Sequence, residues 1–362
     1  MNDFEAAKAA FLDGVALVEQ GRLAEADARL ATSLRLLPGR ASTLLNLGIV
    51  RLRRGLPADA LQLLEQALAA EPGARDAAFQ RAAALAALGR LDEAAAQLHA
   101  LLALHPSLGV GWSLLGQVEK DRGRAADARA AFEHAQREGA DTPAVRFALA
   151  ALGGGAMPAT APPGYVKALF DGYADDFEAH LLGTLHYRGH EAVVAAVRDA
   201  APFDSVLDLG CGTGLCGPLL RPLARTLAGV DLSATMVERA RARGVYDHVH
   251  EAEIVAHLAA TAERHDAVVA ADVLIYLGDL APLFAGVARV LRPGGRFAFT
   301  VEAAEGPGIE LRPSLRYAHG TPAVLATAAL HGFALVSQVA VVLREEQRVP
   351  VDGAVFAFTR PA

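Results

Sequence analysis

The run SVLDL (Ser205 to Leu209) leads straight into the glycine-rich stretch GCGTGLCG (Gly210 to Gly217), and a second apolar run, LAGV (Leu227 to Val230), ends on Asp231. Glycines directly after a strand let backbone N–H groups approach a ligand closely. A carboxylate at the tip of the next strand, 21 residues beyond Gly210, is placed to accept two ribose hydroxyls. A dinucleotide and S-adenosylmethionine both suit that arrangement. Asp208 separates them. A carboxylate two residues before the first glycine would repel a pyrophosphate and attract the ammonium and sulfonium of S-adenosylmethionine. Gly210, Gly212 and Gly214 are the loop's close-approach positions. Cys211 shares the loop, where small residues are required, and with Cys216 makes a pair that lacks the further ligands of a zinc site.

The string VLDLGCGTG (Val206 to Gly214) resembles the first motif of class I S-adenosylmethionine-dependent methyltransferases, and the resemblance extends over about residues 165 to 362. GVDLS (Gly229 to Ser233) matches the family's ribose-binding segment, which implies that Leu232 lies against the adenine. EAE (Glu251 to Glu253) implies that Glu253 meets the adenine amino group. ADVLIYLGDL (Ala271 to Leu280) and LRPGGRFAFT (Leu291 to Thr300) follow in the family order. YVKALFDGYADDFEAHLLGTLHY (Tyr165 to Tyr187) resembles the N-terminal lid helices of small-molecule methyltransferases, including those of quinone and biotin-precursor biosynthesis. It implies that Tyr165 and Tyr173 contact or cover the cofactor, and that Phe177, His180 and Leu181 shape the acceptor side.

Methyl transfer depends on alignment, with a general base needed only where the acceptor must lose a proton. Tyr317 and His319, in LRYAHG (Leu315 to Gly320), are candidates for base or acceptor-orienting group. Asp272 and Tyr276, at the tip of the fourth strand, join them, and Asp272 also counts as a cofactor contact. The [DN]PP[YFW] signature that the resemblance class uses on amide and amino nitrogens is missing after that strand, which disfavours nucleobase methylation.

These residues need a sheet to carry them. Short apolar runs alternate with helical segments from Ser205 onward, as expected for parallel strands with helices on both faces. HDAVVAAD (His265 to Asp272) is the fourth strand and RFAFTV (Arg296 to Val301) the fifth. FALVSQVAVVL (Phe333 to Leu343) and AVFAFTR (Ala354 to Arg360) form a closing antiparallel pair, with Arg344, Glu345 and Glu346 in a solvated turn between them.

The first half is periodic. Gly21, Gly55, Gly89 and Gly123 recur every 34 residues, as do Ala26, Ala60, Ala94 and Ala128, and Pro38, Pro72 and Pro106 keep the step. Each unit is two antiparallel helices with glycine at the turn, small alanine at the crossing and proline after the second helix. The pattern resembles four tetratricopeptide repeats over about residues 7 to 142, with the fullest signature in the fourth: Trp112, Leu115, Gly116, Gly123, Ala128, Phe132 and Ala135. Unit three departs at Arg81 and Ala82. The resemblance implies a groove lined by Phe11, Val15, Leu45, Ile49, Phe79, Ala83, Gln117 and Lys120, without the basic clamp that captures a C-terminal carboxylate. That lining serves an external partner or internal packing equally well. Pro143 to Leu152 is a capping helix, and the glycine and proline cluster at 153–164 is the linker.

The reading is an all-α tetratricopeptide solenoid (1–152) followed by an α/β Rossmann-like seven-stranded methyltransferase domain (165–362). In the 362 residues, 34 basic side chains against 41 acidic ones argue against a polyanion partner, hence no nucleic acid. The acid excess is concentrated in the second half: residues 1–152 carry 17 basic and 18 acidic side chains, the remainder 17 and 23. No apolar run is long enough to span a bilayer, the N-terminus lacks a secretory core, and two cysteines make no disulfide framework, so a cytoplasmic protein without a membrane anchor is expected. The function expected is methylation of a small-molecule or carrier-bound acceptor with S-adenosyl-L-methionine, the array docking a partner or capping the domain. The alternatives are a protein acceptor recruited through the groove, or a non-catalytic scaffold with a vestigial cofactor domain.

Overall fold

The computed structural model describes residues 2–171, 178–346 and 348–361. The chain divides into two compact units, Met1–Gly154 and Gly155–Ala362. In the first, four helix pairs follow the 34-residue step: α1 (Asp3–Glu19) with α2 (Leu23–Leu36), α3 (Ala41–Arg53) with α4 (Pro57–Ala70), α5 (Arg75–Ala87) with α6 (Leu91–Leu104), and α7 (Gly109–Asp121) with α8 (Ala125–Arg137). A ninth helix, α9 (Pro143–Ala151), is capped by the Thr142 hydroxyl on the Val145 N–H. The turn glycines 21, 55, 89 and 123 hold φ between 72° and 75°, a conformation that side chains with a Cβ resist. At the crossings, a Cβ on Gly116 would stand 2.7 Å from the Phe132 ring, so that pair depends on glycine. In unit three, fully buried Ala82 takes the equivalent place. The eight predicted groove residues are all half-buried, and Phe11, Leu45 and Phe79 pack against buried clusters of the array itself.

The second unit is a sheet with helices on both faces. Its strands are β1 (Phe203–Leu209), β2 (Ala224–Asp231), β3 (His248–Glu251), β4 (His265–Ala270), β5 (Leu291–Ala303), β6 (Ile309–Leu311), β7 (Tyr317–His319), β8 (Ala334–Glu346) and β9 (Val349–Thr359). Its helices are α10 (Pro163–Asp171), α11 (Gly189–Ala195), α12 (Gly217–Leu220), α13 (Ala234–Ala242), α14 (Ile254–Ala260), α15 (Ala281–Val290) and α16 (Thr321–Leu330). Strands β3, β2, β1, β4 and β5 run parallel in that spatial order. β9 joins β5 antiparallel, and β8 pairs with β9. These make the seven strands expected. The three-residue pair β6 and β7 adds two more beside the end of β5, so the described sheet has nine.

Period-two alternation puts Leu207 and Leu209 in the core on one face of β1 and Val206 in the core on the other, which Phe203 joins from the start of the strand. The first core is built around Phe284, which meets Phe297, Phe299, Phe333 and Phe358 edge to face.

Two expectations change. Part of the predicted linker belongs to the second unit: the Ala161 N–H donates to the Tyr276 carbonyl, and Thr160 bridges Leu277. A glycine and proline cluster suits a fixed irregular segment as well as a free one. The expected solvated turn at Arg344 to Glu346 is instead the end of β8, with Arg344 1% exposed.

Candidate functional site

A cavity of 530 Å³ opens beyond the C-terminal ends of β1, β2 and β4. Gly210 and Gly212 hold φ of +64° and +54° on its floor. A Cβ on Gly210 would collide with Val273, whereas one on Gly212 would meet nothing within 4 Å. The second position therefore presents bare backbone to open space, the form of surface that admits a ligand.

Asp208 lies beneath this loop, 1% exposed. Its Oδ2 accepts a 2.7 Å hydrogen bond from the Tyr246 hydroxyl, and its Oδ1 is buried with no hydrogen-bond partner. Burial pushes its carboxyl up to about 7. The Tyr246 hydroxyl pulls it down and the Asp231 carboxylate pushes it up further. Asp231 closes β2 and lines the cavity; its Oδ2 accepts from the Gly212 N–H (2.8 Å) and its Oδ1 from the Ser233 N–H (2.9 Å). It therefore braces the loop while facing the ligand space. Cys211, Leu232 and Glu253 also line the cavity, and Glu253 caps α14 by accepting from the Val255 and Ala256 N–H groups. Gly214 lies in the same loop behind this lining, with φ +88°. Burial raises both thiols well above their usual range, and among the described residues no group of three metal-ligating side chains gathers.

The opposite wall is assembled from distant segments. Val166, Leu169 and Phe170 come from α10, and Leu181 and Leu185 from the π-helical turn that covers Ala179–Thr184 and its following residue. The Lys167 ammonium pairs with Glu251 at 2.8 Å, and the Ser233 hydroxyl donates to Asp171 at 2.5 Å, so α10 is tied to β3 and to the start of α13. Asp272 holds φ of +60°, its N–H donates to the Thr300 hydroxyl (2.7 Å), and its carboxylate accepts from Arg344 (3.1 Å). Arg344 also binds Glu302 and Glu346, and Arg316 binds Glu346 as well.

Of the candidate catalytic residues, Asp272 and Tyr276 line the cavity. The Tyr276 hydroxyl is raised by burial, hence protonated at neutral pH. His319, Tyr317 and His180 are not part of the lining. Buried His319 holds the Leu277 carbonyl at 2.8 Å through Nε2, and burial pulls its imidazole down to about 4. The Tyr317 hydroxyl donates to the Pro158 carbonyl. Both support the wall from behind, because β7 turns its side chains into the core rather than the cavity. Tyr165 is half-buried on α10 outside the lining, and Tyr173 and Phe177 lie outside the described residues.

Sequence reasoning misses Phe170, Tyr187, His190, Arg316 and Arg344 in this lining. Tyr187 and His190 stack at 5.5 Å; the Tyr187 hydroxyl and His190 Nδ1 are buried without hydrogen-bond partners. A buried arginine beside two glutamates looks like a surface turn in one dimension, so Arg344 gives no signal.

A glycine loop after the first strand, a carboxylate under it and another at the tip of the second strand define a nucleotide-type ligand site at the topological switch of an α/β sheet. Residues 207–299 match the methyltransferase domain family, and residues 51–118 match the tetratricopeptide repeat. The chain thus joins a tetratricopeptide-repeat array to a class I methyltransferase domain.

The chain is 36% identical over 104 residues to the ubiquinone biosynthesis O-methyltransferase of Chelativorans sp., covering 27% of this chain and 41% of that protein. It is 34% identical over 140 residues to the malonyl-[acyl-carrier protein] O-methyltransferase of Enterobacter lignolyticus, covering 39% and 54%. It therefore spans about half the length, or less, of these curated relatives. Among solved structures, magnesium protoporphyrin IX methyltransferase from Synechocystis superposes with a TM-score of 0.43 at 19% identity, covering 55% of this chain and 99% of that one. No described helix is long and apolar enough to cross a membrane.

Proposed function

We propose that the protein is an S-adenosylmethionine-dependent methyltransferase acting on a small-molecule or carrier-bound acceptor, its repeat array docking a partner or capping the domain. The observation that carries this reading is the cavity floor: bare backbone at Gly212, the buried, half-partnered carboxylate of Asp208, and Asp231 at the tip of β2. These groups suit a ligand with a cation at its middle and a ribose beside it. Bound there, the cofactor supplies an electrophilic methyl group.

The chain's own residues do the rest. Asp208 provides the counter-charge. Asp231 and Glu253 offer carboxylate oxygens beyond those bonds they already accept from backbone. Phe170, Leu181 and Leu185 keep water from the opposite side. Asp272 is held in place on this wall by its ion pair with Arg344. His190, pulled down by burial, is a neutral imidazole on the same wall. The names of the relatives, one acting in ubiquinone biosynthesis and one on malonyl-[acyl-carrier protein], support small or carrier-bound acceptors.

Calorimetric titration with S-adenosylhomocysteine tests this reading. The intact chain binds, and Asp231→Ala weakens binding by about a hundredfold through loss of charge-assisted hydrogen bonds. Undiminished binding in that variant refutes the assignment.

A further inference from the structure

Tyr246 lies between α13 and β3, outside the cavity lining and outside every motif of the sequence reading. Two independent features connect it to the site. Its hydroxyl is the one hydrogen-bond partner of Asp208 among the described residues, at 2.7 Å, while the other Asp208 oxygen is buried with none. Its ring is also the surface on which the glycine loop rests. A Cβ at Gly214 would stand 2.9 Å from the ring and one at Gly217 2.7 Å, both closer than real side chains approach, and one at Gly229 would stand 3.2 Å away. Three glycines on two backbone segments, the loop and β2, therefore pack on the ring.

We propose that Tyr246 is a positioning residue for the cofactor: its hydroxyl keeps Asp208 ionised and oriented, and its ring seats the glycine loop over that carboxylate. The inference rests on the methyltransferase reading above, since it gives Asp208 the cationic ligand. The surroundings explain why a single hydroxyl matters. The groups that act on Asp208 are the Tyr246 hydroxyl and the Asp231 carboxylate on β2, and the Cys211 and Cys216 thiols and the Tyr187 hydroxyl lie near enough to feel its charge. None is a cation, and both thiols are protonated. A buried carboxylate among such neighbours owes much of its ionisation near neutral pH to its hydrogen bond. With the carboxyl at about 7, it is poised at half ionisation in the ligand-free protein, so a modest change in that bond alters the charged fraction several-fold.

Tyr246→Phe removes the hydroxyl and keeps the ring. Loss of a hydrogen bond to an ionised group raises the Asp208 carboxyl by about one unit or more. At pH 7 the ionised fraction then drops from one half to about one tenth, and the affinity for S-adenosylhomocysteine falls about fivefold. The ratio of wild-type to variant affinity, in which titration of the ligand itself cancels, returns toward one as pH rises to about 9. Carbon NMR of the Asp208 carboxyl in the ligand-free protein reads the same shift without any ligand. An Asp208→Asn background checks the route: there Tyr246→Phe changes affinity no further.

Identical Asp208 titration in the two proteins, or an affinity ratio flat from pH 6 to 9, overturns the proposal. So does an equal loss from Tyr246→Phe in the wild-type and Asp208→Asn backgrounds, which would mean that the hydroxyl acts by a route other than the charge of Asp208. Wild-type protein that binds no S-adenosylhomocysteine sinks the methyltransferase reading instead, and the NMR titration still decides whether Tyr246 governs the carboxylate.

Discussion

The two walls of the cavity are built by opposite means. On the proposed cofactor side, Gly210, Gly212 and Asp231 come from one continuous stretch from β1 to β2, and the Asp231 carboxylate is held by the backbone N–H groups of Gly212 and Ser233. On the opposite wall, the proposed acceptor side, Asp272, Arg316 and Arg344 come from three separate segments and are joined by side-chain ion pairs that also draw in Glu302 and Glu346. A wall made of backbone has a fixed shape that many side chains at neighbouring positions leave unchanged. A wall made of interlocked side chains is free to change chemistry, and each member is only as well placed as its partners. This fits a fold whose ligand end is common to many activities while its acceptor end varies.

The largest consequence concerns Arg344. Its guanidinium is 1% exposed and holds three carboxylates, one of which, Glu302, is 2% exposed. Arg344→Ala leaves Asp272 without its ion-pair partner and buried Glu302 with Arg312 alone, which costs about 3 kcal/mol of stability and lowers the melting temperature by on the order of 10 °C for a unit of this size. Thermal unfolding of wild type and variant measures it. An unchanged melting temperature would show that the acceptor wall is held locally, like the other one. On the cofactor side, Asp231→Ala is expected to weaken ligand binding more than it weakens the fold, since burial already penalises that carboxylate. A variant that unfolds instead removes the contrast between the walls.

The same contrast explains what a reader of the sequence can see. The repeat array is the most legible part, because each packing position returns after 34 residues and Gly14, Gly48 and Gly116 meet Leu30, Leu64 and Phe132 in the same way each time. The glycine loop is nearly as legible, since its residues are adjacent and its conformations demand glycine. Tyr246 is not: it reaches Asp208 across 38 positions, and nothing in the segment GVYDHV advertises a buried hydroxyl. Arg344 reaches Asp272 across 72. The composition around Arg344 even points the wrong way, because charge in a short span between two apolar runs ordinarily marks a turn. The Leu315 to Gly320 segment does lie beside the site, as its motif suggests, yet β7 turns Tyr317 and His319 into the core and leaves Arg316 in the lining. A period-two strand decides such a question by register, and a three-residue strand carries too little pattern to reveal its register beforehand.

His319 yields the smallest effect and separates a structural histidine from a catalytic one. Its imidazole lies 1% exposed with Nε2 on the Leu277 carbonyl, and burial holds it down to about 4 against an ordinary value of 6.5. Below pH 6.5 the unfolded chain gains a proton there that the folded chain refuses until about pH 4. The contribution of His319 is therefore complete above pH 6.5 and declines as pH falls through that window, by on the order of 1 kcal/mol per pH unit. His265, also held down to about 4, adds a decline of the same sign, so the measurement must be a difference between proteins. In His319→Gln, whose amide can still donate to the Leu277 carbonyl, denaturant unfolding at about pH 7 and about pH 5.5 shows a smaller loss of stability than in wild type, by about 1 kcal/mol. A parallel decline in both proteins would mean that His319 is not held neutral by the core. It would return the imidazole to the set of groups able to exchange a proton at neutral pH, and with it the possibility that the acceptor wall carries its base on β7.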